Sequence, residues 1–246
     1  MFFVASLFGQ TTSHREARTG RYSVVVRLPL SQNADGIDGY VELLDDSRLT
    51  PNIRKQAWQT GEFEGEIDAD SGPDLQPFKN EPPSNALIQI VGLDRRVIET
   101  KTLDPLAKLQ AARLYGSSKL TYLLTVDYSA GFGSYSGPIT DLVEMNGGHM
   151  RWVEATDART GHSGEISLMS SLKTTWKLVD APHEKGREIL VAACRPDWKA
   201  KLNENQNFTI MYTRYYFDGT KWMCVERTAK GFSEFEEGFP NRKLFP

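Results

Sequence analysis

The sequence predicts an all-β protein, mainly antiparallel, that folds as a sandwich or barrel built from hairpins with one or two short helices. From Arg21 onward, short segments rich in β-branched and aromatic residues are bounded by Gly, Pro, Asn or Asp. Turns such as Asn146-Gly147-Gly148 and Asp218-Gly219 supply the positive φ angles of tight hairpins, which force the joined strands to run antiparallel. Only two segments carry helix-capping residues.

The composition is that of a globular protein without a nucleic-acid footprint. The 246 residues are enough for one large β domain or two smaller ones. The net charge is -3 and hydrophobic residues make up 39% of the chain, so no basic surface indicates nucleic-acid binding. No stretch reaches the roughly 18 apolar residues of a membrane-spanning helix. We therefore expect neither a nucleic-acid partner nor a transmembrane span.

Residues 1–20 form an N-terminal arm or the remnant of a signal segment. The run MFFVASLFGQ is apolar, ends in small residues and precedes a polar run, but it lacks the positively charged start of a secretory signal. A start codon placed too far downstream would explain that lack, and an apolar first strand or a partner-docking arm would also fit. The signal interpretation predicts a periplasmic or secreted protein. A cytoplasmic location stays open.

The two cysteines predict free thiols rather than a disulfide. Cys194 ends the run EILVAAC and Cys224 lies in KWMCVER. If the last strands form a meander, one strand separates the two residues and places them about 10 Å apart. A disulfide needs Cα atoms within about 7 Å. We expect two buried, unpaired thiols.

Residues 21–246 are predicted to form a β-rich domain. Residues 68–85 are rich in Pro, Asp and Asn, as long loops are, so a division into two β sections near residues 68–116 stays open. The predicted strands, in chain order, are RYSVVVRL, GYVELL, EFEGEI, ALIQIV, RVIETKTL, KLTYLLTV, PITDLVEM, HMRWVEAT, EISLMSSL, TTWKLV, REILVAAC and two strands within residues 208–227.

Two helices are predicted. In the segment 104–116, DPLAKLQAARLYG, Asp104 is a typical N-cap, Pro105 suits the first helical position, and a glycine follows a run of strong helix formers. Thr and Pro take the same roles at the start of the segment 50–61, TPNIRKQAWQTG. We expect the helix at 104–116 to be a lid or crossover between two β sections.

One segment partly follows the register of a calcium-binding EF-hand loop. SQNADGIDGYVE offers oxygen ligands that include Asn33, Asp35 and Glu42. Its first ligand position holds Ser instead of Asp, and both flanks are predicted strands, so a solvated turn is the favoured interpretation. Elsewhere the sequence has no paired-His or Cys-x-x-Cys spacing. We expect no metal and no cofactor.

Four residues near loop ends are candidates for acid/base catalysis: His149, His162, Asp127 and Glu165. Histidine at a loop edge is well suited to proton transfer near neutral pH. No nucleophile motif accompanies them, because the sequence contains neither Gly-x-Ser-x-Gly nor a phosphate-binding P-loop. Simple solvation of these side chains is the alternative.

The segment 127–138, DYSAGFGSYSGP, predicts a loop that presents aromatic rings. Its glycines alternate with Phe132 and Tyr135, a composition that suits contact with a sugar, a peptide or a partner surface. A glycine-rich connection whose aromatic side chains fold back onto the sheet would have the same composition.

The segment 208–227, FTIMYTRYYFDGTKWMCVER, predicts a hairpin covered on both faces. A two-residue loop at Asp218-Gly219 would pair Phe217 with Thr220. Both faces are then too apolar for a solvated sheet, whose strands alternate in polarity. One face is expected to pack on another sheet. The other face would be covered by one of four things: the aromatic tail, which is residues 229–246, the predicted helix, a partner or a ligand.

These observations favour a non-catalytic binding or accessory protein that recognises a partner protein or a glycan through aromatic loop and sheet surfaces. An all-β hydrolase or lyase using loop-end His and carboxylates is the alternative, because such enzymes assemble their sites from residues distant in sequence. A structural subunit of a larger complex is a third interpretation. The candidate binding residues are Phe132, Tyr135, Tyr212, Tyr216 and Trp222.

Overall fold

The computed structural model contains three largely antiparallel sheets and two short helices, which confirms the predicted all-β class. Both cysteines are free thiols, as predicted, but only Cys194 is buried, because Cys224 on β15 is partly exposed. In the part of the chain that the structure describes, no helix has the length and apolar character needed to cross a membrane. The structure describes residues 20–30, 32–60, 78, 81–115, 119–126, 136–181, 186–196, 208–231, 235 and 238–246.

Sheet A has four strands in the order β1-β2-β3-β4, in which every neighbour is antiparallel. A helical turn, α1, joins the first two strands, and helix α2 follows the second. The strands are β1 (Tyr22–Leu30), β2 (Gly39–Asp46), β3 (Ala86–Gly92) and β4 (Val97–Leu103), and the helices are α1 (Gln32–Asp35) and α2 (Pro51–Thr60).

Sheet B follows directly in the chain and has the order β11-β7-β6-β5, with β8 also pairing with β7. Gly147 and Gly148, with φ of 59° and 86°, form the two-residue turn between β7 and β8. The strands are β5 (Lys108–Ala112), β6 (Thr121–Val126), β7 (Ile139–Asn146), β8 (His149–Trp152) and β11 (Ser167–Met169).

Sheet C has six strands in the order β10-β9-β15-β14-β13-β12. Among the described residues its one parallel pair is β9 with β15, which matches three residues of each strand. The strands are β9 (Glu154–Asp157), β10 (Ser163–Glu165), β12 (Thr174–Asp180), β13 (Arg187–Pro196), β14 (Phe208–Phe217) and β15 (Trp222–Gly231).

Sheet B is the middle layer and is buried on both faces. Tyr122 and Leu124 lie in the core shared with sheet A. Leu123, between them in β6, and Leu142 of β7 lie in a second core shared with sheet C. A strand covered on both sides needs consecutive apolar residues rather than alternating ones, which explains the run TYLLTV in β6.

The chain passes from sheet B to sheet C within one predicted strand. HMRWVEAT forms β8, which pairs with β7, and then β9, which pairs with β15. The buried residue Val153 separates the two strands, and its N–H donates to the Leu142 carbonyl at 2.8 Å. One segment that the sequence predicts as a single strand therefore contributes a strand to sheet B and another to sheet C.

The prediction of a helix at 104–116 is wrong, because residues 108–112 form strand β5, which pairs with β6. The backbone before the strand leaves the helical region, because Leu106 has φ of 67°. A tertiary contact holds that conformation, since the buried Asp45 carboxylate accepts the Leu106 N–H at 2.8 Å. Local helix propensity is a weak preference that such contacts override.

The helix predicted after Thr50 is present. Thr50 acts as N-cap, since its hydroxyl accepts the Ile53 N–H at 3.4 Å and its carbonyl accepts the Arg54 N–H at 2.9 Å. Pro51 takes the first helical position, where no N–H is needed. Ile53 and Ala57, four residues apart, face a small apolar cluster with Leu106.

The hairpin of β14 and β15 has a wider loop than the two residues predicted: Phe217 pairs with Trp222, not with Thr220. Asp218 closes this loop, because its carboxylate accepts the Thr220 and Lys221 N–H groups at 2.8 and 2.9 Å. The register moves by two residues. Since side chains alternate with a period of two, every residue keeps its predicted face.

The two faces of this hairpin contribute to different cores. Tyr215, Phe217 and Trp222 face the core shared with sheet B. On the other face Tyr212 meets Phe245 of the C-terminal tail, with ring centroids 5.3 Å apart in an edge-to-face arrangement. Phe245 also stacks on Phe239 at 5.6 Å. The tail therefore forms a fourth layer over sheet C.

Phe245→Ala should lower the free energy of unfolding by about 3 kcal/mol, because truncating a buried Phe removes its transfer free energy and leaves a cavity. Urea denaturation measures the change. Leu172→Ala is the control, since Leu172 is 56% exposed and its truncation should cost less than about 0.5 kcal/mol. Equal effects of the two substitutions would show that the tail does not seal sheet C.

Candidate functional site

Asp45, at the end of β2, is a buried carboxylate with no solvent exposure. A buried charge is tolerated only when it is paired and hydrogen-bonded. The Asp45 carboxylate is ion-paired with Arg54 of α2 and accepts N–H groups from Leu106 at 2.8 Å and from Asp46 at 2.9 Å. Burial raises the pKa of Asp45, and the Arg54 charge opposes that rise.

The same cluster fixes α2 against the segment that enters sheet B. Arg54 also donates to the Ala107 carbonyl. The Trp58 indole donates to the Leu106 carbonyl at 2.9 Å. Two side chains one turn apart on α2 therefore satisfy consecutive carbonyls of the β4–β5 connection. The helix is held at the point where the chain leaves sheet A for sheet B.

A groove of about 500 Å³ lies at this junction, between α2 and the outer strands β1 and β5. This volume falls within the usual range for small-molecule sites, about 300 to 1,000 Å³. Val25 is the extra residue of a β-bulge between Val24 and Val26, and such bulges re-aim side chains at sheet edges. The lining residues are Val25, Val26, Arg54, Lys55, Trp58, Lys108, Leu109 and Gln110.

Among the described residues, the positive charge of the groove is only partly compensated. Arg54 is neutralised by Asp45, but in the described ranges neither Lys55 nor Lys108 has a carboxylate within ion-pair distance. Lys108 Nζ lies 3.4 Å from the centroid of the Trp58 ring. Burial, and then the Arg54 charge, lower the pKa of Lys108. An anion in the groove would relieve that electrostatic cost.

The groove therefore combines cationic groups with apolar walls. Val25, Val26 and Leu109 suit a hydrocarbon, and two ammonium groups suit a carboxylate, phosphate or sulfate. Sugar stacking is less suited to this site, because one face of Trp58 is occupied by the Lys108 ammonium group.

The side chains considered as candidate metal ligands do not converge. Asn33 and Asp35 lie in α1, where Asn33 is exposed and Asp35 is buried. Glu42 lies in β2, and its carboxylate pairs with Arg27 of the neighbouring strand at 2.6 Å. Among the residues that the structure describes, no group of three or more His, Cys, Asp or Glu side chains could hold a metal ion.

The catalytic candidates lie on different sheets. His149 starts β8, and its Nδ1 is 3.8 Å from Glu99 Oε2, but its side chain is 71% exposed. The same Glu99 oxygen accepts the Met150 N–H at 2.6 Å, so Glu99 ties β4 to β8. His162 and Glu165 are exposed at β10 of sheet C. Asp127 lies outside the described residues.

The aromatic binding candidates also occupy separate places. Trp222 is only 3% exposed, and its indole donates to the Tyr115 hydroxyl at 2.7 Å, so it belongs to the core. Tyr212 is buried beneath Phe245. Tyr216 is partly exposed, with the Arg214 guanidinium 4.6 Å from its ring centroid. Phe132 and Tyr135 lie outside the described residues.

No sequence pattern predicts the groove. The helix predicted at 104–116 contains Lys108, and nothing in the sequence links this residue to Trp58, 50 positions earlier. One signal was present: the strand GYVELLDD ends in two acidic residues after an apolar run. Adjacent carboxylates at the end of a buried strand predict that basic partners lie nearby.

No protein-family model, curated protein or solved structure matches this chain. Inferences about its function therefore depend on the geometry alone.

Asp45→Asn should lower the free energy of unfolding by about 3 kcal/mol, because it leaves the buried Arg54 without its counter-charge. The double variant Asp45→Asn/Arg54→Met should cost less than the sum of the single variants, by on the order of 2 kcal/mol. Urea denaturation measures all three. The matched control is Asp94→Asn at the exposed Arg96–Asp94 pair, which should change stability by less than about 1 kcal/mol. Strict additivity at Asp45 and Arg54 would contradict the pairing.

Asp46 should make stability depend on pH. Its hydrogen bonds from Arg48 hold the pKa of this carboxyl well below the usual 3.8, and the Ser84 N–H adds to the effect. A carboxyl with a depressed folded-state pKa stabilises the fold above its unfolded pKa and loses that contribution as the pH falls. The difference in unfolding free energy between wild type and Asp46→Asn should be on the order of 2 kcal/mol at pH 6 and should shrink below pH 3.8.

Urea titrations across this pH range measure the difference. Arg48→Gln is the matched variant, because it removes the main cause of the depressed pKa of Asp46; the loss of stability on acidification should become smaller and be complete at a higher pH. A difference that stays constant with pH would contradict the assignment.

Proposed function

We propose that this protein is a non-catalytic binding protein and that its ligand is an anionic amphiphile bound in the groove between β1, β5 and α2. The ligand class is an apolar chain or ring that carries a carboxylate, phosphate or sulfate. The observation that carries the proposal is a pair of lysines beside an apolar groove wall, neither of which has a carboxylate partner among the residues that the structure describes.

The geometry of Lys108 supports an anion rather than a neutral ligand. Lys108 is exposed as a residue, but desolvation of its ammonium group beside Arg54 disfavours the charged form and lowers its pKa, while the Trp58 ring stabilises the cation. An anionic head group that contacts Lys108 would restore the lost solvation by a charge-assisted hydrogen bond. Lys55 is exposed at the same groove and adds attraction without a burial cost.

The supporting framework suits a preformed site. Trp58 and Arg54 are each hydrogen-bonded to a backbone carbonyl of the β4–β5 connection. Side chains held in this way lose little conformational entropy when a ligand binds. The bulge at Val25 interrupts the regular edge of β1, so the groove is better suited to a compact ligand than to an added β-strand.

Decanoate should bind the protein, and decyltrimethylammonium, with a similar chain length and the opposite charge, should bind much more weakly. Isothermal titration calorimetry at low ionic strength measures both. Lys108→Met should weaken decanoate binding about tenfold, the equivalent of about 1.4 kcal/mol. Added salt should weaken it further, because screening reduces the attraction between partly exposed charges.

Lys101→Met is the matched control, since Lys101 Nζ lies 4.0 Å from the centroid of the Trp152 ring on another part of sheets A and B. Its removal should leave decanoate affinity unchanged. Equal binding of the anionic and cationic amphiphiles, or equal effects of the two lysine substitutions, would overturn the proposal.

A further inference from the structure

One residue that lines the groove, Val25 of β1, is an extra residue in its strand. Val24 pairs with Leu44 of β2. The next paired residue is Val26, opposite Leu43, so β2 has no residue opposite Val25. A β-bulge of this kind bends its strand and re-aims side chains, often beside a functional site. The bulge lies in β1, the strand that borders the groove on the side of sheet A.

The bulge brings two consecutive valines to the groove. In a regular strand, consecutive side chains point to opposite faces of the sheet. Val26 packs against the core shared by sheets A and B, so a regular strand would turn Val25 to the other face. Both valines nevertheless line the groove. The extra residue breaks the alternation and thereby adds Val25 to the apolar wall.

Val25 differs from the other aliphatic residues of the groove in its exposure. Leu109 is 5% exposed and belongs to the core, and Val26 is partly buried against the same core. Val25 is 38% exposed. Apolar burial is favourable in proportion to the area removed from water. Among the aliphatic residues described at the groove, Val25 therefore has the largest surface for a hydrocarbon to cover.

The charged side chains of the groove lie on other elements. Lys55 lies on α2 and Lys108 on β5, with the Lys108 Nζ 3.4 Å from the centroid of the Trp58 ring. Val25 faces the groove from β1. The exposed aliphatic surface and the ammonium groups therefore belong to different walls. An amphiphile contacts both walls at once when its acidic group points to α2 and β5 and its hydrocarbon points to β1.

We propose that the β1 bulge is the specificity element of the groove, in which Val25 contacts the hydrocarbon part of the ligand and determines how affinity depends on chain length. The acidic group of the same ligand contacts Lys55 and Lys108. This inference rests on the proposed function, because it gives an orientation to the same anionic amphiphile.

Isothermal titration calorimetry with hexanoate, octanoate and decanoate tests the role of Val25. Each methylene group that the groove buries should raise the affinity of the wild type by up to about fourfold. Val25→Thr keeps the β-branched shape but adds a hydroxyl group to the wall. It should reduce the gain per methylene group to less than about twofold.

The salt dependence of binding separates the two walls. Val25→Thr should keep the salt dependence of the wild type, because the charged groups are unchanged. Lys108→Met should do the reverse, with a smaller salt dependence and an unchanged gain per methylene group. A merely structural role of Val25 in β1 would disturb both properties together.

Val24→Thr is the matched control, because Val24 is 47% exposed and is not among the described residues that line the groove. It should bind all three carboxylates as the wild type does. Deletion of Val25 is a second variant, since it joins the Val24–Leu44 pair directly to the Val26–Leu43 pair in a regular ladder. This variant should fold, as checked by far-UV circular dichroism, and should lose the gain with chain length as Val25→Thr does.

The possible failures are distinguishable. A wild type that binds none of the three carboxylates would overturn the proposed function and this inference with it. A wild type that prefers decanoate to decyltrimethylammonium, combined with a Val25→Thr variant that keeps the full gain per methylene group, would overturn this inference alone. An equal loss of that gain in Val24→Thr would also overturn it. If the deletion variant does not fold, Val25→Thr and its control carry the test.

Discussion

The buried Asp45 carboxylate is the constraint on which the junction of the molecule depends. A carboxylate with no access to water must have partners, and Asp45 has two backbone N–H donors and one guanidinium. One of these donors, Leu106, lies 61 positions later in the chain. Satisfying one side chain therefore fixes the end of β2, the position of α2 and the start of sheet B together. The groove exists because these elements are held around it.

Layering explains the rest of the architecture. Each sheet can bury one face on its neighbour, and sheet B buries both. Sheet C would then leave a large apolar face in water, which is unfavourable in proportion to its area. Phe239, Leu244 and Phe245 of the tail contact that face and close it. The groove lined by α2, β1 and β5 lies at outer strands of sheets A and B rather than on a sheet face.

The sequence predicts the parts of this fold that follow from local patterns. Strands appear where period-two apolar segments lie between turn residues, and α2 begins at Thr50 and Pro51 because capping is local chemistry. Segment 104–116 shows the limit, since its capping residues and helix formers predict a helix, but a hydrogen bond to Asp45 holds Leu106 in a left-handed turn that leads into strand β5. The hairpin register shows a smaller limit, because the Asp218 carboxylate selects a wider loop than the Asp-Gly pair suggests.

The candidate site was much less predictable than the fold. The sequence predicts that both faces of the hairpin are covered, with another sheet and the tail among the candidates, but it does not show that this coverage leaves Trp222 and Tyr212 buried. The groove joins Val25, Trp58 and Lys108 from three separate elements. Their proximity follows from sheet topology and from the buried ion pair, neither of which has a signature in any one segment.

Native-state hydrogen exchange at the Leu106 amide tests the central role of Asp45 most directly. Leu106 lies in a turn, yet its N–H is hydrogen-bonded to a fully buried carboxylate. We predict that this amide exchanges only through global unfolding, at the rate of the Ile88 and Ile90 amides in β3. Exchange as fast as that of Arg96, whose N–H is hydrogen-bonded to the Asp94 side chain in an exposed turn, would contradict the account.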